Sequence, residues 1–404
     1  MGFPNGSRWA GWLSRTAADH QNAKPSEAEI CSIVLGPAAV QARAAVFERV
    51  FRETGEPVTG RWPSQFIWMQ THPKYEPWGV LVERKGAPVA AALLTRQWRG
   101  FWKIGKPAGW GDPLHFAAVD EDAARGLAKS ILEAAKKFGG PWEIEISDLP
   151  SSDPVAAYIR SYWPRSQSWL TPPAPHILFA TGEPLTTYIS RNTRSAVAKA
   201  RNRIEREGIE LREAWTSDPE QILKFLPHIL DVNRRRDHQL RQRSFLDDPA
   251  SERFFMAFVA EHAGQGLIDL LTIHLNGQLA AFALCLLDNA EYSVLANRAA
   301  PDWLRYSPGT IANAEVVRHA YEKPGICGVN WGAGPQRYKL SGKAALQVRQ
   351  TLCAWSSAAV PLLFDPCYKL GSAIVHTLKH ISSAAYPRPR AESDQAVSYP
   401  HAAK

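Results

Sequence analysis

One order of elements can be read twice along this 404-residue chain, and it restricts the chain to folds that solve the same packing problem two times over. In the first half, Val40, Val46, Phe47, Val50 and Phe51 fall on one face of a helix. A hairpin follows over 78–83 and 88–94, turning at Lys85-Gly86. Then come a strand over 98–104, a Gly-rich loop over 105–113, a helix over 120–138 stopped by Gly139, and a short strand over 142–146. The second half starts with helices over 221–232, interrupted by Pro227, and 252–262. A hairpin over 267–275 and 279–287 turns at Asn276-Gly277, the strongest short hairpin signal. A strand over 291–298, a loop over 299–309, a helix over 310–321 and a strand over 326–331 complete the series. The halves share little residue identity, so what repeats is architecture. The expected class is α/β (α+β), with two lobes, each a mixed, mostly antiparallel sheet flanked by helices.

Length supports the same division, since one hydrophobic core rarely organises so long a chain. The expected boundaries are a tail over 1–30, a first lobe over 31–175, a second lobe over 176–383 and a disordered tail over 384–404. Between the lobes, Leu170-Thr171-Pro172-Pro173-Ala174-Pro175 reads as a joint. No run approaches the roughly 20 apolar residues of a membrane helix, and the first residues lack the apolar core of a secretory signal. Five scattered cysteines without a CxxC pair argue against a disulfide framework and a zinc site. The expectation is a cytoplasmic chain with no metal. A net charge of +8 favours anionic partners without choosing between CoA phosphates, nucleic acid and acidic surfaces.

Three stretches carry chemistry. Tyr306-Ser307-Pro308-Gly309-Thr310 stands between a strand and a helix, where free N–H groups and the helix dipole favour an anion. Gly309 lets a phosphate approach the backbone and Pro308 presets the first turn, although an ordinary helix start has the same composition. Asn330-Trp331-Gly332-Ala333-Gly334 leads into Tyr338 and Lys339, a potential proton donor beside a potential anion partner. The same two residues also fit a packed tyrosine beside a surface lysine. A basic helix over 191–207 carries Arg191, Arg194, Lys199, Arg201, Arg203 and Arg206 around Val197, Ala200 and Ile204, as a solvated face or a phosphate-binding stripe. As proton acceptors, His274, Tyr292 and Tyr338 are the candidates. The apolar positions Ile374, Val375 and Leu378, flanked by Lys369 and Lys379, fit packing on the body or contact with a membrane surface.

Taken in order, the basic helix from Ser190 to Gly208, the Tyr306–Thr310 loop and Gly332-Ala333-Gly334 with Tyr338-Lys339 resemble the CelD-like (cellulose-biosynthesis) branch of the GNAT acyltransferase superfamily. The stretch from Ser64 to Pro113 resembles that branch's degenerate N-terminal copy, and the resemblance covers roughly residues 40 to 370. It implies two GNAT-like lobes, as in the FemAB transferases that add amino acids to peptidoglycan precursors. It also implies that the second lobe binds an acyl-CoA donor, such as acetyl-CoA, as co-substrate, with no bound cofactor. Tyr306, Ser307, Gly309, Thr310 and Lys339 would hold the donor. The acyl group would pass directly to an amine or hydroxyl of a small-molecule or saccharide acceptor, with backbone N–H groups stabilising the oxyanion. Of the superfamily's usual pyrophosphate loop, Arg/Gln-x-x-Gly-x-Gly/Ala, Gly309 is the residue present. Two alternatives stand beside this: a FemAB-like transferase using aminoacyl-tRNA, and a non-catalytic binding protein that keeps the fold.

Overall fold

The described elements are built around one sheet of thirteen strands, seen in a computed structural model that describes residues 29–106, 115–334, 339 and 343–361. The first half contributes β1 (Glu29–Leu35), β2 (Glu76–Arg84), β3 (Ala87–Trp98), β4 (Trp102–Gly105), β5 (Ala117–Ala118) and β6 (Trp142–Pro150). Its helices are α1 (Pro37–Ala42), α2 (Ala44–Glu53), α3 (Trp62–Thr71), α4 (Glu121–Lys137) and α5 (Pro154–Tyr162). The second half begins with β7 (Ser166–Leu178), α6 (Leu185–Tyr188), α7 (Arg191–Arg206), β8 (Leu211–Thr216), α8 (Pro219–Gln239) and α9 (Pro249–Gly264). It continues through β9 (Ile268–Leu275), β10 (Gln278–Asp288), β11 (Glu291–Ala299), α10 (Pro308–Glu322), β12 (Gly328–Asn330) and β13 (Ala345–Trp355). The order across the sheet is β1-β2-β3-β4-β6-β13-β7-β12-β11-β10-β9-β8, with β5 beside β3.

Local chemistry explains most of these boundaries. The hairpin turns place Lys85 and Gly86 at φ 54° and 75°, and Asn276 and Gly277 at φ 48° and 75°. That doubly left-handed geometry matches the twist of the flanking strands. Asp120, Asp153, Ser190, Asp218 and Asp248 each start a helix by accepting a backbone N–H at its first turn. Pro227, which lies inside the helix read over 221–232, sits in the interior of a continuous α8. Its missing hydrogen bond is outweighed by the burial of Ile222, Leu226, Ile229 and Leu230 around it.

The Pro-rich joint is corrected: Leu170 to Pro175 is the interior of β7, so the expected boundary at 175/176 falls within a strand. The β7–β13 ladder skips between Gln347 and Arg349, opposite Pro172-Pro173, where the prolines cannot donate. Strand β13 then pairs with β7 on one side and with β6 of the first half on the other. The lobes therefore share one sheet. They also share a core, in which Phe47, Val50 and Trp68 of α2 and α3 join Leu226, Phe255, Phe258, Phe282, Leu284 and Leu286 of the second half. A polar latch closes the seam: Val58 N–H donates to Asp288 Oδ2 at 3.0 Å, Arg61 Nη2 donates to Asn289 Oδ1 at 2.8 Å, and Ser64 Oγ meets His262 Nε2 at 2.9 Å.

Only two strand pairs among the described residues are parallel, one in each half. β4 pairs with β6 over Trp102–Ile104, and β11 pairs with β12 over Glu291–Ser293. Beyond those short ladders the partners separate, leaving a notch in each half. The strands β6, β13, β7 and β12 stand between the two notches. Four strand spacings of about 4.8 Å put the notch centres roughly 19 Å apart along the sheet. No described helix is long and apolar enough to cross a membrane.

Candidate functional site

The second notch is built by the end of β11, the start of α10 and the chain after β12. β11 carries one residue more than β10 opposite it, because the register shifts so that Leu284 faces Ala296 while Cys285 faces Val294. The extra residue is Leu295, and such a bulge re-aims a strand where its ladder ends. Asn297, near the end of β11, is tied to the second turn of α10 by Asn297 Nδ2 donating to Asn313 Oδ1 at 2.8 Å. After β12, Gly332 N–H donates to Asn330 Oδ1 at 2.9 Å and Gly334 N–H donates to Pro173 O at 3.1 Å. These bonds fold the Gly turn against β7.

The start of α10 differs from those of α4, α7, α8 and α9, which are capped by a side chain. Ser307 occupies its N-cap with a left-handed backbone (φ 52°, ψ 44°), and its side chain makes no capping bond. Thr310 and Ile311 N–H turn back to the Ser307 carbonyl at 3.0 and 3.5 Å. No acidic residue stands in the first turn. A Cβ added to Gly309 would lie 3.4 Å from Ala299 Cβ, so the protein itself tolerates a side chain there. The helix end therefore presents its dipole and the Gly309 N–H, without a carboxylate of its own.

The first notch is the opposite. The equivalent helix α4 starts on Asp120, whose side chain accepts Ala123 N–H, with Glu121 and Asp122 in the first turn. Arg84 holds Asp120 below the usual carboxylate range, so the cap stays charged. Beside the end of β4, Lys106 Nζ donates to Glu56 Oε1 at 3.1 Å, and both side chains are buried. Burial pushes the Glu56 carboxyl up to about 7 against the pull of Lys106. The chain's own Asp120, Glu121 and Asp122 thus stand at this helix start, and Lys106 is paired with Glu56. Of the Gly-rich loop expected over 105–113, residues 107–113 lie outside the described residues.

The predicted site residues separate into groups. Ser307, Gly309 and Thr310 form the start of α10 as expected. Tyr306 stands behind them in the core, its hydroxyl donating to Glu207 Oε2 at 2.7 Å. Lys339 is buried, and its Nζ donates to Ala333 O at 2.8 Å. Burial, together with Arg298 and Arg349, pulls it down to about 8. Tyr338 and the run holding Ile374, Val375 and Leu378 lie outside the described residues.

Two candidate proton acceptors do not converge on this end of α10. Tyr292 is fully buried near the start of β11, donating its hydroxyl to Asp269, which also accepts from Lys323 and Ser217. Seven residues of strand separate it from Ala299, about 23 Å. Burial and Asp269 raise its pKa far out of the range of a base, so a catalytic Tyr292 is corrected to a core residue. His274 alternates with Ile273, which packs with α10's Ile311, and therefore faces the other side of the sheet. Its ring lies 5.9 Å from Phe225 of α8, and burial lowers its pKa. Among the basic residues of α7, Arg194 donates to backbone carbonyls, Arg201 pairs with Glu213 and Glu315, and Arg203 donates to Arg305 O. Half of the expected stripe is thus committed inside the protein. The sequence reading missed Arg298 and Arg349, whose approach to Lys339 depends on pairing between strands distant in the chain. Among the described residues no group of three or more His, Cys, Asp or Glu side chains is placed to hold a metal.

Residues 191–340, which include the second notch, match the family profile of the acetyltransferase (GNAT) domain. No curated protein matches the chain. Among solved structures, FemX is similar over 77% of this chain and 95% of its own, at 11% identity and a TM-score of 0.53. A tandem GNAT protein from the clavulanic acid biosynthesis pathway covers 81% of this chain and 99% of its own, at 11% identity and a TM-score of 0.46. A conserved protein of unknown function from Bacteroides thetaiotaomicron covers 77% and 97%, at 14% identity and a TM-score of 0.49. At 11% identity the likeness to FemX is one of fold. Residues 191–340 thus match the acetyltransferase (GNAT) domain profile, and the chain is similar in fold to FemX.

Proposed function

We propose that the chain is an acyltransferase whose second lobe binds an acyl-CoA-like thioester at the start of α10 and passes the acyl group to an amine or hydroxyl. The observation that carries this reading is the contrast between two helix entrances. α10 offers an uncapped start with no acidic first turn, whereas α4 carries Asp120, Glu121 and Asp122. A donor phosphate is stabilised at the first and repelled at the second. The thioester arm would run along the bulged end of β11, between it and the Gly turn. Attack by the acceptor on the thioester carbonyl forms a tetrahedral oxyanion, which backbone N–H groups of the notch would stabilise. Collapse releases the thiolate of the donor, and the acceptor's proton leaves to a base or a bound water. Tyr338 is the remaining candidate for that base, since His274 and Tyr292 do not converge on the entrance of α10. Within the superfamily, the order of the three quoted stretches supports the cellulose-biosynthesis branch, with a small-molecule or saccharide acceptor.

The test is a thermal melt of the full chain with CoA, acetyl-CoA and longer acyl-CoAs. A ligand at one hundred times its Kd adds about 2.7 kcal/mol, enough to raise the melting temperature by a few degrees. Gly309→Glu places a carboxylate where the phosphate would sit and should abolish that rise while leaving the unliganded melt nearly unchanged. Absence of a shift with every thioester, with a shift from aminoacyl-tRNA, would replace this reading by the tRNA-dependent one.

A further inference from the structure

The face of the sheet opposite α10 carries a polar group that the fold leaves without a partner. α8 crosses that face, and Leu226, Leu230, Asn233 and Asp237 fall on one buried stripe of it, spaced i, i+4, i+7 and i+11. Near the start of the helix, the Phe225 ring lies 5.9 Å from His274 of β9. In its middle, Leu226, Ile229 and Leu230 share a core with Phe282 of β10 and with Leu295 and Ala296 of β11. Towards its end, Asp237 Oδ1 is 3.4 Å from Nε of Arg298, the residue before the last of β11. Asn233 stands about one helical turn before Asp237 on the same stripe. It therefore meets the sheet beside the stretch of β11 that lines the second notch, on the side away from the donor's helix.

Asn233 is 1% exposed, and its Oδ1 is buried without a hydrogen-bond partner. The stripe is otherwise apolar up to this point, so a leucine would pack here and the amide destabilises the fold. A buried polar group kept at that cost points to something it binds. Its surroundings also limit the ligand. Asp237 and Arg298 form an ion pair of no net charge, and Arg298 Nη1 donates to Asn297 O. An ammonium or a carboxylate brought to this place finds its counter-charge already taken. A hydroxyl suits it, because one O–H can donate to Asn233 Oδ1 while its oxygen still accepts. We infer that Asn233 is a binding residue for a neutral hydroxyl of the acceptor, which meets the α8 face as an uncharged polyol. The term acceptor rests on the acyltransferase reading; the hydroxyl site rests on α8 and β11 alone.

The experiment uses the full chain without donor and two probes, glucose for neutral hydroxyls and glycinamide for an ammonium that carries none. Binding is titrated by saturation-transfer NMR, and stability is read from a thermal melt. Glucose should bind more tightly than glycinamide. Asn233→Leu keeps the number of side-chain heavy atoms and should raise the unliganded melting temperature by a few degrees, because the unpaired amide is gone. The same variant should weaken glucose binding about fivefold, the usual effect of losing a neutral hydrogen bond. Asn233→Asp adds a negative charge that Arg298 is not free to match, and should turn the preference from glucose towards glycinamide. A residue that only supports the fold would not move that preference. If the leucine overpacks and its variant does not fold, the order of the two probes in Asn233→Asp decides. A lower melting temperature in a folded Asn233→Leu would show the amide to be satisfied within the protein, and would overturn the inference. So would undiminished glucose binding in that variant, an unchanged preference in Asn233→Asp, or wild-type protein that binds glycinamide better or neither probe. Failure of every thioester to bind would sink the acyl-CoA reading alone, since these titrations contain no donor.

Discussion

Ser307 is held in a left-handed conformation that a residue with a Cβ adopts at a cost of about 1 kcal/mol, and its side chain makes no cap to offset it. Ser307→Gly should therefore raise stability by about 1 kcal/mol in urea denaturation. A loss of stability would show that the Ser307 hydroxyl has a role in the fold that its geometry does not reveal. Glu56 makes a second prediction. Its folded value, about 7, lies above the ordinary 4.5, so its contribution to stability is complete below about 4.5 and is lost as pH rises to about 7. The loss is on the order of 3 kcal/mol. Urea midpoints measured from pH 4.5 to 8 should fall in the wild type and be flatter in Glu56→Gln. Such facts were hidden from the sequence. Glu56 looks ordinary between Gly55 and Pro57, and only folding brings Lys106 against it. Gly309 was legible because its meaning is local, a small residue at a helix start.

At the level of elements, the chain was read best where partners are neighbours. Both hairpins were visible from turn chemistry, and α4 and α10 from apolar spacing and the residues that end them. β7 and β13 were not, because their partners lie far away in sequence and prolines in β7 mimic a linker. Tyr292 misled for a related reason: a tyrosine on the third strand looks available until β9 supplies Asp269. The notch depends on Gly328, where β12 begins. A Cβ there would fall 2.5 Å from Ile177 O, a backbone atom of β7 that cannot move aside. Gly328→Ala should cost about 1–3 kcal/mol, as other overpacked sites do, and lower donor affinity with it. Retained stability and donor binding in that variant would show that β12 can shift without harm to the notch.

For the molecule as a whole, the shared sheet predicts one unfolding event. A core spans both halves, and β13 lies between β6 and β7, so neither lobe keeps its full set of contacts without the other. Calorimetry of the full chain should show a single transition. A fragment starting at residue 176 would lack β6 and most of β7, leaving β13 with open edges, and should aggregate on size exclusion. Two separate transitions would show that the seam is weaker than its packing suggests.

Asp120 has a consequence for counting. A chain with two architecturally matched halves invites the expectation of two donor molecules and of cooperativity between them. The first half has instead placed its own carboxylate at the entrance where the second half keeps none. A donor titration should accordingly saturate at one equivalent per chain along a simple hyperbola, whatever symmetry the fold suggests.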